Sequence, residues 1–298
     1  MENVLSIKGL TKRYGRLTAV NDLSLEVGRG DVFGILGPNG SGKTTTLGIL
    51  LDVINKTSGE FSWFGQPPTK EVRKRIGAIL ETPIFYPYLS AVKNLEIVAA
   101  IKEAPTANIE PALKKVELFE RKDDKFRTYS LGMKQRLSIA SALICDPEVM
   151  ILDEPTNGLD PQGIAEIREL IKRIAAEGKT IILASHLLDE VQKVCTHFCV
   201  LKKGSLLYSG SVDEIGAGAV TVEVMADQAL DGALKNWTGA KEVKQENGRY
   251  VVTLAEDQSA VGLNRYLFEQ GLVASHLLTQ KKSLEKQFLE LLAESENA

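Results

Sequence analysis

The chain has 298 residues, 44% hydrophobic and 25% charged, with a formal net charge of −3. These values describe a folded globular chain of one large domain or two unequal ones, and they argue against a globally basic nucleic-acid binder. No run approaches the ~20 apolar residues that span a bilayer, and Met1 to Lys8 lacks the basic and apolar regions of a signal peptide, so a cytoplasmic location is expected.

In chain order, Leu5 to Lys8 and Leu23 to Val27 alternate apolar and polar residues, as strands of a half-exposed antiparallel sheet do. Val32 to Leu36 reads as a buried strand. It runs into Gly37-Pro38-Asn39-Gly40-Ser41-Gly42-Lys43-Thr44, a full match to the phosphate-binding pattern G-x-x-x-x-G-K-[ST], and then into a helix over Thr44 to Leu51. Strand, glycine-rich loop and helix together suit a phosphate, which rests on backbone N–H groups at a helix N-terminus. Lys43 is placed to meet the β- and γ-phosphates, and the Thr44 hydroxyl to meet Mg²⁺. From about Ala91 to Ala142 the pattern turns helical with no strong strand, as an insertion would. Val149 to Leu152 then reads as a buried strand that delivers Asp153 and Glu154 at its C-terminal end, where ligands of α/β sheets collect. Asp153 is the candidate Mg²⁺ ligand and Glu154 the candidate general base.

A helix over about Gln162 to Glu177 precedes a strand at Thr180 to Ala184, beyond which stands His186. A neutral imidazole there would bridge the γ-phosphate and the attacking water. A hairpin over Cys199 to Tyr208 closes this body. The three cysteines, Cys145, Cys195 and Cys199, lack metal-site spacing and read as buried thiols. Gly216-Ala217-Gly218 marks a boundary. Strands at Val220 to Met225 and Arg249 to Leu254 follow, with helices at about Asp227 to Trp237 and Ala260 to Gln270. An amphipathic helix over Ser283 to Leu292 ends the chain, with Leu284, Phe288, Leu291 and Leu292 on one face. From Val220 onward 8 Lys and Arg stand against 12 Asp and Glu, so this end is acidic.

The ordered set of motifs resembles the nucleotide-binding subunit of an ABC transporter, over roughly residues 1–215. Tyr14 matches the aromatic that stacks on adenine. Ser130-Leu131-Gly132-Met133-Lys134-Gln135-Arg136 matches the signature usually written L-S-G-G-Q, Gly158-Leu159-Asp160 the D-loop, and His186 the switch histidine. A plain phosphate-loop ATPase has no need of Ser130-Leu131-Gly132. The resemblance implies an α/β P-loop NTPase core over 1–215, with an antiparallel β subdomain and a helical insertion at about 85–145, and a small α+β accessory domain over 216–298. It implies ATP with Mg²⁺, and an ATP held by Tyr14, residues 37–45 including Thr45, and, from the opposing subunit, Ser130, Leu131, Gly132 and Asp160. It further implies a second nucleotide-binding subunit (a homodimer suffices) and an integral membrane permease that keeps the chain on the inner face of the membrane; no nucleic acid is expected.

Two departures are informative. Glu81 stands where most members carry glutamine, and the signature reads Tyr129-Ser130-Leu131-Gly132-Met133. Both resemble the branch of bacitracin- and lantibiotic-resistance exporters. Glu81, a hard oxygen ligand, is a candidate Mg²⁺ contact and sensor of nucleotide state. In the family, the aromatic stretch Pro83 to Leu89 lines the groove that receives the permease; the plainer reading is packing of the insertion onto the core. The ending Ser283 to Leu291 is similar to the S-L-E-x-x-F-L-x-L of many exporter ATPases. The alternative of a soluble ABC ATPase on ribosomes or DNA lacks the paired motif sets or long coiled coil of those branches. A non-catalytic sensor is disfavoured by intact Lys43, Asp153, Glu154 and His186.

Overall fold

A computed structural model describes residues 2–80, 84–213, 220–246, 248–255 and 257–281. Glu81, the glycines at 216 and 218 and the predicted terminal helix lie outside the described residues. The chain divides into two compact units, residues 1–211 and 212–298.

The first unit runs β1 (Asn3–Tyr14), β2 (Leu17–Gly28), β3 (Val32–Leu36), α1 (Lys43–Leu50), β4 (Ser58–Trp63), α2 (Lys70–Lys74) and β5 (Ile76–Ile79). It continues through α3 (Ala91–Lys102), α4 (Ile109–Lys115), α5 (Leu131–Leu143), β6 (Val149–Asp153), α6 (Pro161–Ala176), β7 (Thr180–Ser185), α7 (Leu188–Val194), β8 (His197–Lys202) and β9 (Ser205–Ser211). Strands β2-β1-β4 make an antiparallel sheet whose apolar residues face inward and whose polar ones face out. The larger sheet has the order β5-β6-β7-β3-β8-β9, parallel except for the last strand. Its central strands β3, β6 and β7 are buried along their whole length, which is why they read as continuous apolar runs. Leu5, Ile7, Leu25, Leu47, Ile49, Trp63, Ile35 and Ile151 share one core that joins the two sheets and α1. The Trp63 indole donates to the Leu50 carbonyl at 3.0 Å and so ties β4 to the end of α1. Helices α3, α4 and α5 form the insertion between β5 and β6.

The second unit runs β10 (Val220–Met225), α8 (Asp231–Asn236), β11 (Ala240–Glu246), β12 (Arg249–Leu254), α9 (Ala260–Glu269) and β13 (His276–Lys281). Its antiparallel sheet has the order β11-β12-β10-β13, the split βαβ pattern of ferredoxin-like folds. Val222, Val224, Val252 and Leu254 pack beneath Leu234, Leu263 and Leu267 of the helices, with Trp237 stacked on Tyr266 at 5.9 Å between ring centres.

Some expectations need correction. The helix expected from Asp227 begins only at Asp231, and β4, β5, α2, α7, β11 and β13 carry no clear periodicity in the sequence. Cys145 is half-buried rather than buried. Cys195 and Cys199 are buried, and burial pushes the Cys199 thiol up to about 12.

Candidate active site

Sheet order brings the motifs together. β7 lies between β3 and β6, with Leu36 beside Ser185 and Asp153 beside Ala184. The residues that leave the three strand ends, Gly37, His186 and Glu154, therefore emerge side by side. The Gly37 amide donates to the Ser185 carbonyl at 3.2 Å, and the Glu154 amide to the Ala184 carbonyl at 2.9 Å.

The phosphate loop has the shape an anion needs. A Cβ at Gly37 would lie 2.3 Å from the Leu201 carbonyl, so only glycine fits there. Gly42 has φ +103° and ends the loop at α1, which has no side-chain cap, leaving its first N–H groups for a ligand. The Ser41 hydroxyl is buried and has no protein partner among the described residues, so a phosphate oxygen would satisfy it. Lys43 is buried; its ammonium donates to the Gly37 carbonyl at 2.7 Å and the Pro38 carbonyl at 3.4 Å. It also lies 3.3 Å from Glu154 Oε1. A buried ammonium so held is a preformed counter-charge for phosphate.

The Thr44 hydroxyl donates to Asp153 Oδ2 at 2.7 Å. These two oxygens, one neutral and one anionic, are the hard donors that suit Mg²⁺. Glu154 has φ +48°, a left-handed conformation uncommon outside glycine. That turn sends its carboxylate to His186, whose Nδ1 is 2.8 Å from Glu154 Oε2.

A cavity of about 530 Å³, the size of a ligand pocket, is lined by Tyr14, Leu17, Thr18, Ala19, residues 39–45, Glu154 and Lys203. Lys12 covers the Tyr14 ring at 4.6 Å. The wall residues Leu17, Thr18 and Ala19 and the hairpin residue Lys203 carry no motif and were invisible in the sequence.

Ser130, Leu131, Gly132 and Asp160 do not join that cavity. They line a separate one of about 530 Å³, with Gly158, Met133 and Arg136. Ser130 caps α5 by accepting from the Met133 amide at 3.2 Å, and Asp160 caps α6 by accepting from the Gly163 amide at 2.9 Å, with Pro161 in the first turn. Arg136 donates to Glu117 and Glu166, both at 2.7 Å, and its guanidinium holds the Glu117 carboxyl below the usual range. The phosphate loop and the signature thus border two separate cavities of one chain.

Ile84, Tyr86 and Tyr88 are exposed, Ile84 by 94%. Phe85 turns inward onto Phe126 with ring centres 5.2 Å apart. The buried Asn94 clamps this segment: its amide donates to the Tyr86 and Ser90 carbonyls at 3.1 and 3.0 Å and its oxygen accepts from the Tyr86 amide at 2.8 Å. Packing of the insertion and outward display of aromatics therefore coexist in one segment.

Residues 20–157 match the ABC transporter family. The ABC transporter ATP-binding protein YhcH of Bacillus subtilis is 38% identical, over 99% of this chain and 98% of its own. The bacitracin transport ATP-binding protein BcrA of Enterococcus faecalis is 34% identical, over 98% of this chain and 97% of its own. The structure of cbiO1 from Clostridium perfringens, part of the ABC transporter complex cbiONQ, superposes with a TM-score of 0.67 at 30% identity. It covers 73% of this chain and 92% of its own. The chain belongs to the ATP-binding proteins of ABC transporters. It is an ATPase of that class, and among its described residues no helix is long and apolar enough to cross a membrane.

Proposed function

We propose that this chain is the motor of a membrane exporter for an antimicrobial peptide or a similar amphiphile, working as a twofold dimer on the inner face of the membrane. The observation that carries the dimer is the separation of the two half-sites: Lys43, Asp153, Glu154 and His186 lie at one set of strand ends, while Ser130 to Gly132 border a different cavity. A second copy supplies the missing half of each site.

In this reading Tyr14 stacks on adenine. Residues 37–45 hold the phosphates, and Lys43 exchanges Glu154 for phosphate oxygens when ATP enters. Thr44 and Asp153, with Glu81 as a further candidate, would hold Mg²⁺, whose charge would stabilise the negative charge that develops on the phosphate oxygens. Glu154 takes a proton from the attacking water, and His186 orients that water and the γ-phosphate. The partner's Ser130 hydroxyl and the amides at the start of its α5 reach the γ-phosphate, so hydrolysis removes the contact that joins the two copies. Asp160 faces the partner across the same interface.

Ile84, Tyr86 and Tyr88 form the surface for a permease segment, since exposed aromatics on a clamped loop are costly without a partner. The full-length similarity to a bacitracin transport protein favours a peptide-like cargo. The test is purification of the tagged chain from detergent-solubilised native membranes. A stoichiometric polytopic membrane protein is expected with the native chain and not with a Tyr86→Ser, Tyr88→Ser variant. Recovery with soluble partners alone, or of the same membrane protein with both forms, refutes the proposed contact.

A further inference from the structure

Glu190, on α7, takes no part in the chemistry above. It is nonetheless a carboxylate with 1% of its surface exposed. One of its oxygens accepts from the Ser185 hydroxyl at 2.6 Å, and the other from the Thr156 hydroxyl. Ser185 immediately precedes His186, and Thr156 follows Glu154 by two residues. Ser185 is engaged twice more: its carbonyl accepts from the Gly37 amide at 3.2 Å and its hydroxyl accepts from the Leu187 amide at 3.0 Å. One buried carboxylate therefore binds the two loops that carry the general base and the switch histidine, and Ser185 alone passes on to the phosphate loop through its carbonyl.

Burying a carboxylate is unfavourable, and here burial pushes its titration above the usual range while the Ser185 hydroxyl opposes that shift. An apolar side chain would fill the same space without that cost. What the carboxylate adds is direction, because each of its oxygens fixes one hydroxyl. The need for direction is visible at Glu154. Its left-handed φ of +48° is disfavoured for a side-chain-bearing residue and persists only where its surroundings over-determine it. The Glu154 amide bond to Ala184 anchors one side of the strained residue, and the Thr156 bond to Glu190 anchors the other.

We propose that Glu190 is a positioning residue: through Thr156 and Ser185 it holds the Glu154 carboxylate and the His186 imidazole in register for hydrolysis, without itself touching nucleotide. The inference rests on the reading of Glu154 as general base. Opening the clasp lets the loop after Glu154 relax, so its carboxylate leaves the 2.8 Å contact with His186. The phosphate loop keeps its own backbone bonds. The signature of the inference is thus a fall in kcat with ATP affinity preserved, since displacement of a catalytic group by about 1 Å costs as much as 10²-fold in rate.

The experiment compares Thr156→Val, Thr156→Ser, Glu190→Gln and Glu154→Gln in the full-length protein, by ATPase kinetics and ATP binding. Thr156→Val keeps the shape and removes the hydroxyl; kcat is expected to fall at least tenfold with Kd for ATP within about twofold. Thr156→Ser, which keeps the hydroxyl, is expected to retain most of the turnover. Glu190→Gln is expected to match Thr156→Val, and the double variant to be no slower than the slower single one, because both break one unit. Wild-type kcat in Thr156→Val and Glu190→Gln, with Glu154→Gln inactive, overturns the clasp alone. Equal loss in Thr156→Val and Thr156→Ser overturns it as well, since the hydroxyl is then not what matters. Full turnover by Glu154→Gln overturns the assignment of the base, and the clasp with it. Should Glu190→Gln fail to fold, the Thr156 pair decides.

Discussion

Gly132 has no structural reason to be glycine in a single protomer. It is the second residue of α5, its φ is not left-handed, and a Cβ added there meets no atom within 4 Å. Glycine inside a helix is unfavourable by roughly 0.5–1 kcal/mol relative to alanine, so Gly132→Ala should stabilise the isolated chain by that amount. In the proposed ATP sandwich the same position would face the γ-phosphate bound to the other copy. A methyl group there pushes the phosphate oxygens away from the helix amides. Each hydrogen bond to a charged group contributes about 1.5–3 kcal/mol, so the loss of one predicts a turnover lower by roughly 10- to 100-fold. Urea denaturation, ATP binding by the monomer and steady-state hydrolysis separate the two effects. Stability equal or higher, monomer affinity unchanged and turnover depressed is the expected pattern. Wild-type turnover in Gly132→Ala refutes the claim that this face meets nucleotide.

Gly42→Ala should behave in the opposite way. Its Cβ would lie 2.4 Å from the Ala19 carbonyl at φ +103°, and the obstacle is backbone, which cannot rotate aside. Handedness and overpacking together predict a destabilisation of about 2–5 kcal/mol, read by urea melts, and loss of ATP binding. A variant that melts and binds as wild type contradicts the packing described for the phosphate loop. Acid stability is expected to depend on Glu148, which accepts from Arg75 at 2.5 Å and Arg29 at 2.9 Å. The Arg75 guanidinium, with Arg29, draws its titration from 4.5 down to about 2. A carboxylate with a depressed folded value stabilises above its unfolded value and loses that contribution as pH falls through the folded one. Glu148→Gln should therefore be less stable by about 0.5–1 kcal/mol near pH 7, the range of half-exposed ion pairs. Its melting curve should converge with wild type as pH falls from 4.5 toward 2. A gap that is unchanged across that interval refutes the assignment.

Where local pattern and tertiary environment agree, the sequence was readable. Strands β3, β6 and β7 are buried on both faces, so each is a continuous apolar run, and the loops that follow them carry short fixed motifs. Elements that exist only through their neighbours were not. β4 contains Gly59 and two serines and is held by pairing with β1 and by the Trp63 anchor. β11 is built of alanine, lysine, glutamate and glutamine around the single Val243, a mostly helix-favouring composition, and becomes a strand at the sheet edge by pairing with β12. The site divides in the same way. Lys43 and Thr44 announce themselves through the glycine-rich loop that opens α1, and Asp153, Glu154 and His186 because they stand at or just beyond the ends of buried apolar strands. Ala19 and Lys203 belong to the site through folding alone, and although Glu190 stands close behind His186 in the chain, nothing in that spacing reports that it reaches Thr156.

The ATP sandwich is tested most directly by complementation between two inactive variants of the full-length chain. Ser130→Arg spoils the signature half-site and leaves the phosphate loop intact; Lys43→Ala does the reverse. Each homodimer has no complete site. A mixed dimer has one, formed by the phosphate loop of the first copy and the signature of the second. ATP hydrolysis that is absent from each variant alone and reappears on mixing is the predicted result. A mixture no more active than its components would mean that both half-sites act within one protomer, contrary to the separation of the two cavities.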